Sequence, residues 1–165
     1  MANWVFTGSL TFPQAINETS TTQNAPIGTI VTAQDTDSTA YGAGEFIYLK
    51  GVASTVVTDC VTYNATGVTA RSVANAVGMV AFAMSACVAS NFGWYQIGGR
   101  AVATGNTGDA ADLQVYLHAT AGSISDGVAA GDQVYTATTS SALGTPSTGL
   151  IELSIQRPYV SNVSN

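Results

Sequence analysis

Val77-Gly78-Met79-Val80-Ala81-Phe82-Ala83-Met84-Ser85-Ala86-Cys87 and, after the pause Ser90-Asn91-Phe92-Gly93, Trp94-Tyr95-Gln96-Ile97 decide the fold of this chain. Val80, Phe82 and Met84 alternate with Ala81, Ala83 and Ser85. That is the two-residue period of a strand packed tightly on one face and crowded on the other. Ala and Met are also good helix formers, but Gly78 interrupts the run and the large residues do not recur at three and four. The stretch therefore reads as a buried strand.

Working outward, the pattern repeats. Ile151, Leu153 and Ile155 alternate with Glu152, Ser154 and Gln156, which predicts one buried and one wet face. Pro158 cannot donate to a ladder and is expected to end that strand. On the other side, Glu45 to Leu49 and Val56 to Tyr63 read as strands, and Asn64-Ala65-Thr66-Gly67 as a hairpin turn leading into Val68 to Val73. Gly98-Gly99 marks a bulge or bend before Arg100 to Ala103. Leu113 to Ala119, Ser123 to Ser125 and Gln133 to Thr138 follow, and Ser140 to Ser147 has the composition of a surface loop. About ten short strands at intervals of roughly ten residues predict an all-β domain, an antiparallel β-sandwich or barrel of jelly-roll-like character.

Residues 1–40 differ from residues 41–165, which read as a single β domain. They are rich in Thr, Gln and Asn, contain Pro13 and Pro26, and carry their apolar residues in short bursts: Trp4 and Phe6, then Leu10 and Phe12. Two forms fit this pattern: an edge-strand segment folded on its own core, or an extended N-terminal arm lying on another subunit. Thr29 to Ala33 reads as a short strand ending at Asp35-Thr36-Asp37. Two acids at that spacing suit calcium, but without further acids or a Gly-centred loop they read as a solvated turn.

Composition narrows the function. Charged residues are 8% of 165 residues, with ten acids against four Lys and Arg, a net charge of −6. The usual charged share is about a quarter, so neutral polar groups, Thr above all, must cover the surface. Lys50, Arg71, Arg100 and Arg157 are scattered, which argues against nucleic-acid binding. The start of the chain lacks the charged and apolar regions of a secretion signal, and the run from Val73 to Val88 is short for a membrane span. A soluble cytosolic product is expected, with Cys60 and Cys87 as buried free thiols.

No catalytic set is visible. The lone His118 reads as an ordinary residue at a strand end, and no zinc pattern, P-loop or dinucleotide fingerprint is present. Asp109, Asp112, Asp126, Asp132 and Glu152 would serve glycoside hydrolysis only if they met in space. Four of the five sit in Gly-flanked turns and read as solvated turn acids. Trp94, Tyr95 and Tyr159 could stack on a sugar, but their strand spacing suits core or interface positions.

The segments Gly44-Glu45-Phe46-Ile47-Tyr48-Leu49, Gly51-Val52-Ala53-Ser54-Thr55, Val61-Thr62-Tyr63-Asn64, Val80 to Ser85 and Phe92 to Ile97 give the chain a likeness to small structural proteins of tailed bacteriophages. It resembles the capsid decoration, or cement, proteins over about residues 44–160, without a functional motif that could be carried over. The resemblance implies a non-enzymatic all-β subunit, commonly a homotrimer, made in the host cytoplasm. Such a subunit binds the outside of the assembled head and clamps neighbouring major capsid protein subunits against internal DNA pressure. No cofactor, metal, nucleic acid or membrane is implied. The residues expected at the partner interface are Trp4, Phe6, Leu10, Phe12 and Tyr159. The alternative is a receptor- or carbohydrate-binding module of a phage fibre or adhesin, and a small hydrolase ranks third.

Overall fold

The structure is a computed structural model that describes residues 2–37 and 40–161. Among them are twelve strands and no helix: β1 Trp4–Phe6, β2 Thr19–Ser20, β3 Ile30–Asp35, β4 Ala43–Lys50, β5 Cys60–Tyr63, β6 Thr69–Arg71, β7 Gly78–Ala83, β8 Phe92–Thr104, β9 Gln114–Leu117, β10 Ile124–Ser125, β11 Gln133–Thr139 and β12 Leu150–Val160. They form one antiparallel network in the order β1-β3-β4-β8-β7-β12-β11-β9-β10, with β2 on β8 and the β5–β6 hairpin on β7. The sheet folds over on itself as in a β-sandwich and does not close into a barrel.

The long strand β8 organises the packing. Its first half pairs with β4 on one edge and with β2 and β7 on the other, and from Gly98 onward β12 takes over that second edge. Its side chains enter three separate apolar clusters. Trp94 joins Trp4, Ile16, Val31, Phe46 and Tyr48. Tyr95 and Ile97 join Ile47, Leu49, Val61 and Ala81. Beyond the bulge, Ala101 and Ala103 join Val80, Phe82, Val134, Ile151 and Leu153. The bulge lies where Glu45 pairs with Gly98 but Phe46 pairs with Gln96, and Gly99 there adopts φ +91°. A side chain at Gly99 would also meet the Ala43 carbonyl oxygen at 2.5 Å, so the glycine is required twice over. The alternation in β7 falls as expected: Val80 and Phe82 enter one cluster, Ala81 and Ala83 another.

Residues 2–37 take the edge-strand form. β1 pairs with β3, β3 pairs with β4, and Trp4, Phe6 and Phe12 pack on the Trp94 cluster. The seal is polar. The buried Gln14 side chain donates to the Glu18 and Phe92 carbonyls, both at 2.9 Å, and accepts from the Tyr48 hydroxyl at 2.6 Å and the Asn24 amide at 3.1 Å. Trp94 Nε1 donates to the Gln14 carbonyl at 3.1 Å.

Three local expectations are corrected. Val56 to Asp59 forms a turn rather than the start of β5, with Thr58 at φ +72°. Pro158 does not end β12. Between the Ala137–Ile155 and Tyr135–Tyr159 pairs, three residues of β12 oppose Thr136 alone, so Pro158 sits in a bulge where its missing N–H leaves no gap in the ladder. Glu152 is not on a wet face, because it is buried against Arg100.

Candidate functional site

The residues expected at an interface lie in different places. Trp4 is 6% exposed, 4.8 Å from the Phe46 ring, and Phe6 and Phe12 contact the Trp94 ring edge-on or tilted. All three are spent on the chain's own core. Leu10 is 63% exposed on the N-terminal segment, and Val5 of β1 is 50% exposed. Tyr159 is 41% exposed and stacks on Tyr135 with ring centroids 5.1 Å apart. Trp94 and Tyr95 are fully buried, so of the aromatics considered for stacking on a sugar only Tyr159 faces solvent.

The chemically active groups are committed to the fold. His118 follows β9 and accepts from the Thr120 N–H at 3.1 Å. Cys60 and Cys87 are buried and free, and burial pushes the Cys60 thiol up to about 12. Of the acids read as solvated turn residues, Asp37 and Asp112 are exposed and Asp126 is half-buried, but three others are buried. Asp109 is buried, accepting from Ser125 Oγ and from the Asp126 and Asn106 amides. Asp132 is buried against the Asn75 amide. Asp35 is buried too, taking the Asn3 and Asp37 amides. Asp109 and Asp35 stand in for a peptide carbonyl in a tight turn, while Asp132 ties its turn to the Asn75 amide 57 residues away. Among the described residues no group of three His, Cys, Asp or Glu could hold a metal ion, and no helix is long and apolar enough to cross a membrane.

Sequence reasoning missed two concave features. The first is a cavity of about 370 Å³ between the N-terminal segment and β8, with Trp4, Met84 and Leu150 on its apolar side and Arg100, Gln96 and Tyr41 on its polar side. Arg100 pairs with the buried Glu152, donates to the Ala40 carbonyl at 3.1 Å and lies 5.9 Å from the Tyr41 ring centroid. Burial, then the hydrogen bond to Glu152 and its negative charge, push the Tyr41 hydroxyl up to about 12. The phenol stays protonated at neutral pH, and the Arg100 charge is already matched by Glu152.

The second feature is an open groove of about 990 Å³ on the sheet face turned away from the largest core cluster. Two in-register rows build it. Thr32, Glu45, Gly98 and Gln156 are lateral neighbours across β3, β4, β8 and β12. Ser154, Thr138 and Gln114 are neighbours across β12, β11 and β9. Paired residues in a sheet share a face, so the rows present hydroxyls, carboxamides and one carboxylate over a floor opened by Gly44, Gly98 and Gly99. Glu45 accepts from Arg157 Nε at 3.1 Å, which neutralises the charge there.

No family model, curated protein or solved structure matches this chain. Function must therefore be read from the surface. The three arginines are each paired with a carboxylate: Arg71 with Asp59, Arg100 with Glu152 and Arg157 with Glu45. The first two pairs have a buried acid. What the chain offers a partner is a set of exposed apolar side chains, Val5 and Leu10 on the N-terminal segment with Val56, Val77 and Val128 elsewhere, the Tyr135–Tyr159 stack, and the neutral groove.

Proposed function

We propose that the chain is a non-enzymatic virion structural protein that attaches to the outer surface of a phage head and stabilises the lattice of the major capsid protein, as a homotrimer. The resemblance to capsid decoration proteins suggests the class. The observation that carries it is the commitment of all three arginines to internal ion pairs, which leaves the exposed Lys50 as the remaining basic side chain and attachment mainly to apolar and neutral polar contacts. Val5 and Leu10 supply the apolar part, on a segment whose aromatic residues Trp4, Phe6 and Phe12 pack on the core. Each such side chain, once covered, contributes about 1.5–3 kcal/mol, against roughly 0–1 for an exposed ion pair. Three equivalent copies acting together multiply this by avidity.

The test is cosedimentation with undecorated heads from low to molar salt, alongside the solution mass by light scattering. Attachment that persists in molar salt, a mass three times the 16.8 kDa chain, and loss of attachment in a Val5→Asp, Leu10→Asp double variant are the expected results. Attachment abolished by salt, or a double variant that binds as well as the parent, would refute the clamp.

A further inference from the structure

We propose that the open groove is a binding site for a neutral oligosaccharide, with Tyr159 as the platform on which one sugar ring stacks. The proposal does not depend on attachment to a capsid.

The bulge shared by β11 and β12 places the aromatic pair correctly. Val134 and Ala137 on β11, and Ile155 and Val160 on β12, all enter the same core cluster. Ordinary alternation cannot put residues three or five apart on one face, so the extra residues reset the phase. Tyr135 and Thr138 thus point away from the core together, as do Tyr159 and Gln156. The stacked tyrosines stand on the same face as the polar rows, outside the groove's own lining, next in sequence to its residues Val134 and Thr136.

The groove's chemistry selects the ligand. Gln114, Gln156, Thr138 and Ser154 each both donate and accept hydrogen bonds, which matches sugar hydroxyls that do the same. Gln114 is oriented by the Tyr116 hydroxyl, which donates to its Oε1 at 3.1 Å. The Glu45–Arg157 pair gives the wall one acceptor and one donor group with no net charge, so a phosphate or carboxylate ligand meets no free cation. An extended peptide is disfavoured along β8 and the Ser154–Gln156 part of β12, where the backbone groups pair with neighbouring strands. An apolar ligand would leave the amides and hydroxyls unsatisfied. The volume of about 990 Å³ and the open ends suit a short linear oligosaccharide.

The probe is a panel of neutral gluco-, galacto- and manno-oligosaccharides with sialylated and uronic-acid oligomers as controls, titrated into the intact protein and read by calorimetry and amide chemical shifts. The expected result is binding of one neutral class, unchanged by salt, with shifts on β9, β11 and β12. Tyr159→Ala and Thr138→Arg should each weaken it at least about tenfold, a loss of roughly 1.4 kcal/mol. Gln114→Ala, on an exposed position, provides a milder variant if either of those melts early. Absence of binding across the neutral panel, binding of acidic sugars alone, or neutral binding indifferent to the folded variants would overturn the proposal. The Val5→Asp, Leu10→Asp variant should keep sugar binding, so the fate of the clamp is read separately.

Discussion

Replacing Gln14 with Ala tests whether residues 2–37 are part of this subunit's own core. The side chain makes four hydrogen bonds, to Tyr48, Asn24, Glu18 and Phe92, and all four end on it from different parts of the chain. Truncation leaves the fully buried Tyr48 hydroxyl without its acceptor, and the Phe92 carbonyl without its side-chain donor. A buried polar group stranded in this way costs about 1–3 kcal/mol. The Glu18 and Asn24 groups lie nearer solvent and rehydrate. Two stranded groups give an expected loss of about 3 kcal/mol, a large fraction of the 5–15 typical of a domain. Tyr48→Phe removes the hydroxyl instead of stranding it, leaves only the half-buried Asn24 N–H, which donates to it at 3.1 Å, to find water, and should cost about 1–2 kcal/mol. In the double variant the two effects should overlap by about 1–2 kcal/mol. Urea unfolding followed by the fluorescence of Trp4 and Trp94, both in this cluster, measures all three. A Gln14→Ala variant within about 0.5 kcal/mol of the parent would mean that the segment is held by another subunit.

Other outcomes follow from burial and charge. Arg71→Ala should cost about 3 kcal/mol, because it leaves Asp59, 1% exposed, as an unpaired buried carboxylate. Arg157→Ala, which removes an exposed and solvent-screened pair, should leave stability nearly unchanged, and thermal melts distinguish the two. Gly51→Ala should destabilise by about 3 kcal/mol or more, since its Cβ would sit 2.0 Å from the Cys87 carbonyl oxygen; a soluble variant with an unchanged melt would refute that packing. Burial raises the Cys60 thiol from 9.0 to about 12 and the Tyr41 hydroxyl from 10.0 to about 12. The fold prefers the protonated forms, so their contribution is complete below pH 9 and lost as pH rises towards 12. Denaturant midpoints should hold level to about pH 9 and then fall, and a flat profile through the alkaline range would contradict it.

The strands were legible wherever side chains alternate by size. Ile151, Leu153 and Ile155, and Val80 and Phe82, announce a period of two that core packing then enforces. Gly98-Gly99 announced its bulge because few other residues tolerate that backbone. The turn at Val56 to Asp59 was hidden, since Val56 and Val57 look like strand residues while Asp59 binds the Val56 amide at 2.8 Å and ends the extended run. Pro158 misled because a bulge depends on the neighbouring strand, which local sequence does not record. Gln14, Arg100 and Glu152 were opaque for the same reason: a buried polar side chain is recognised by partners that lie 34, 78 or 52 residues away. The groove was invisible because its rows join residues from six strands, while Tyr159 stood out only as an aromatic beyond the expected end of the last strand.

The passage of β8 through all three apolar clusters has a mechanical consequence. A domain with separate cores linked by short strands can shed one piece at a time, and its weakest piece sets how it fails under load. Here a rupture that frees β8 must pull Trp94, Tyr95 or Ala101 out of a cluster that shares a backbone with the other two. The thirteen residues Phe92–Thr104 therefore behave as a common spine. Their amides should exchange with solvent only through global opening, and force applied at either end of the chain should meet a single yield point.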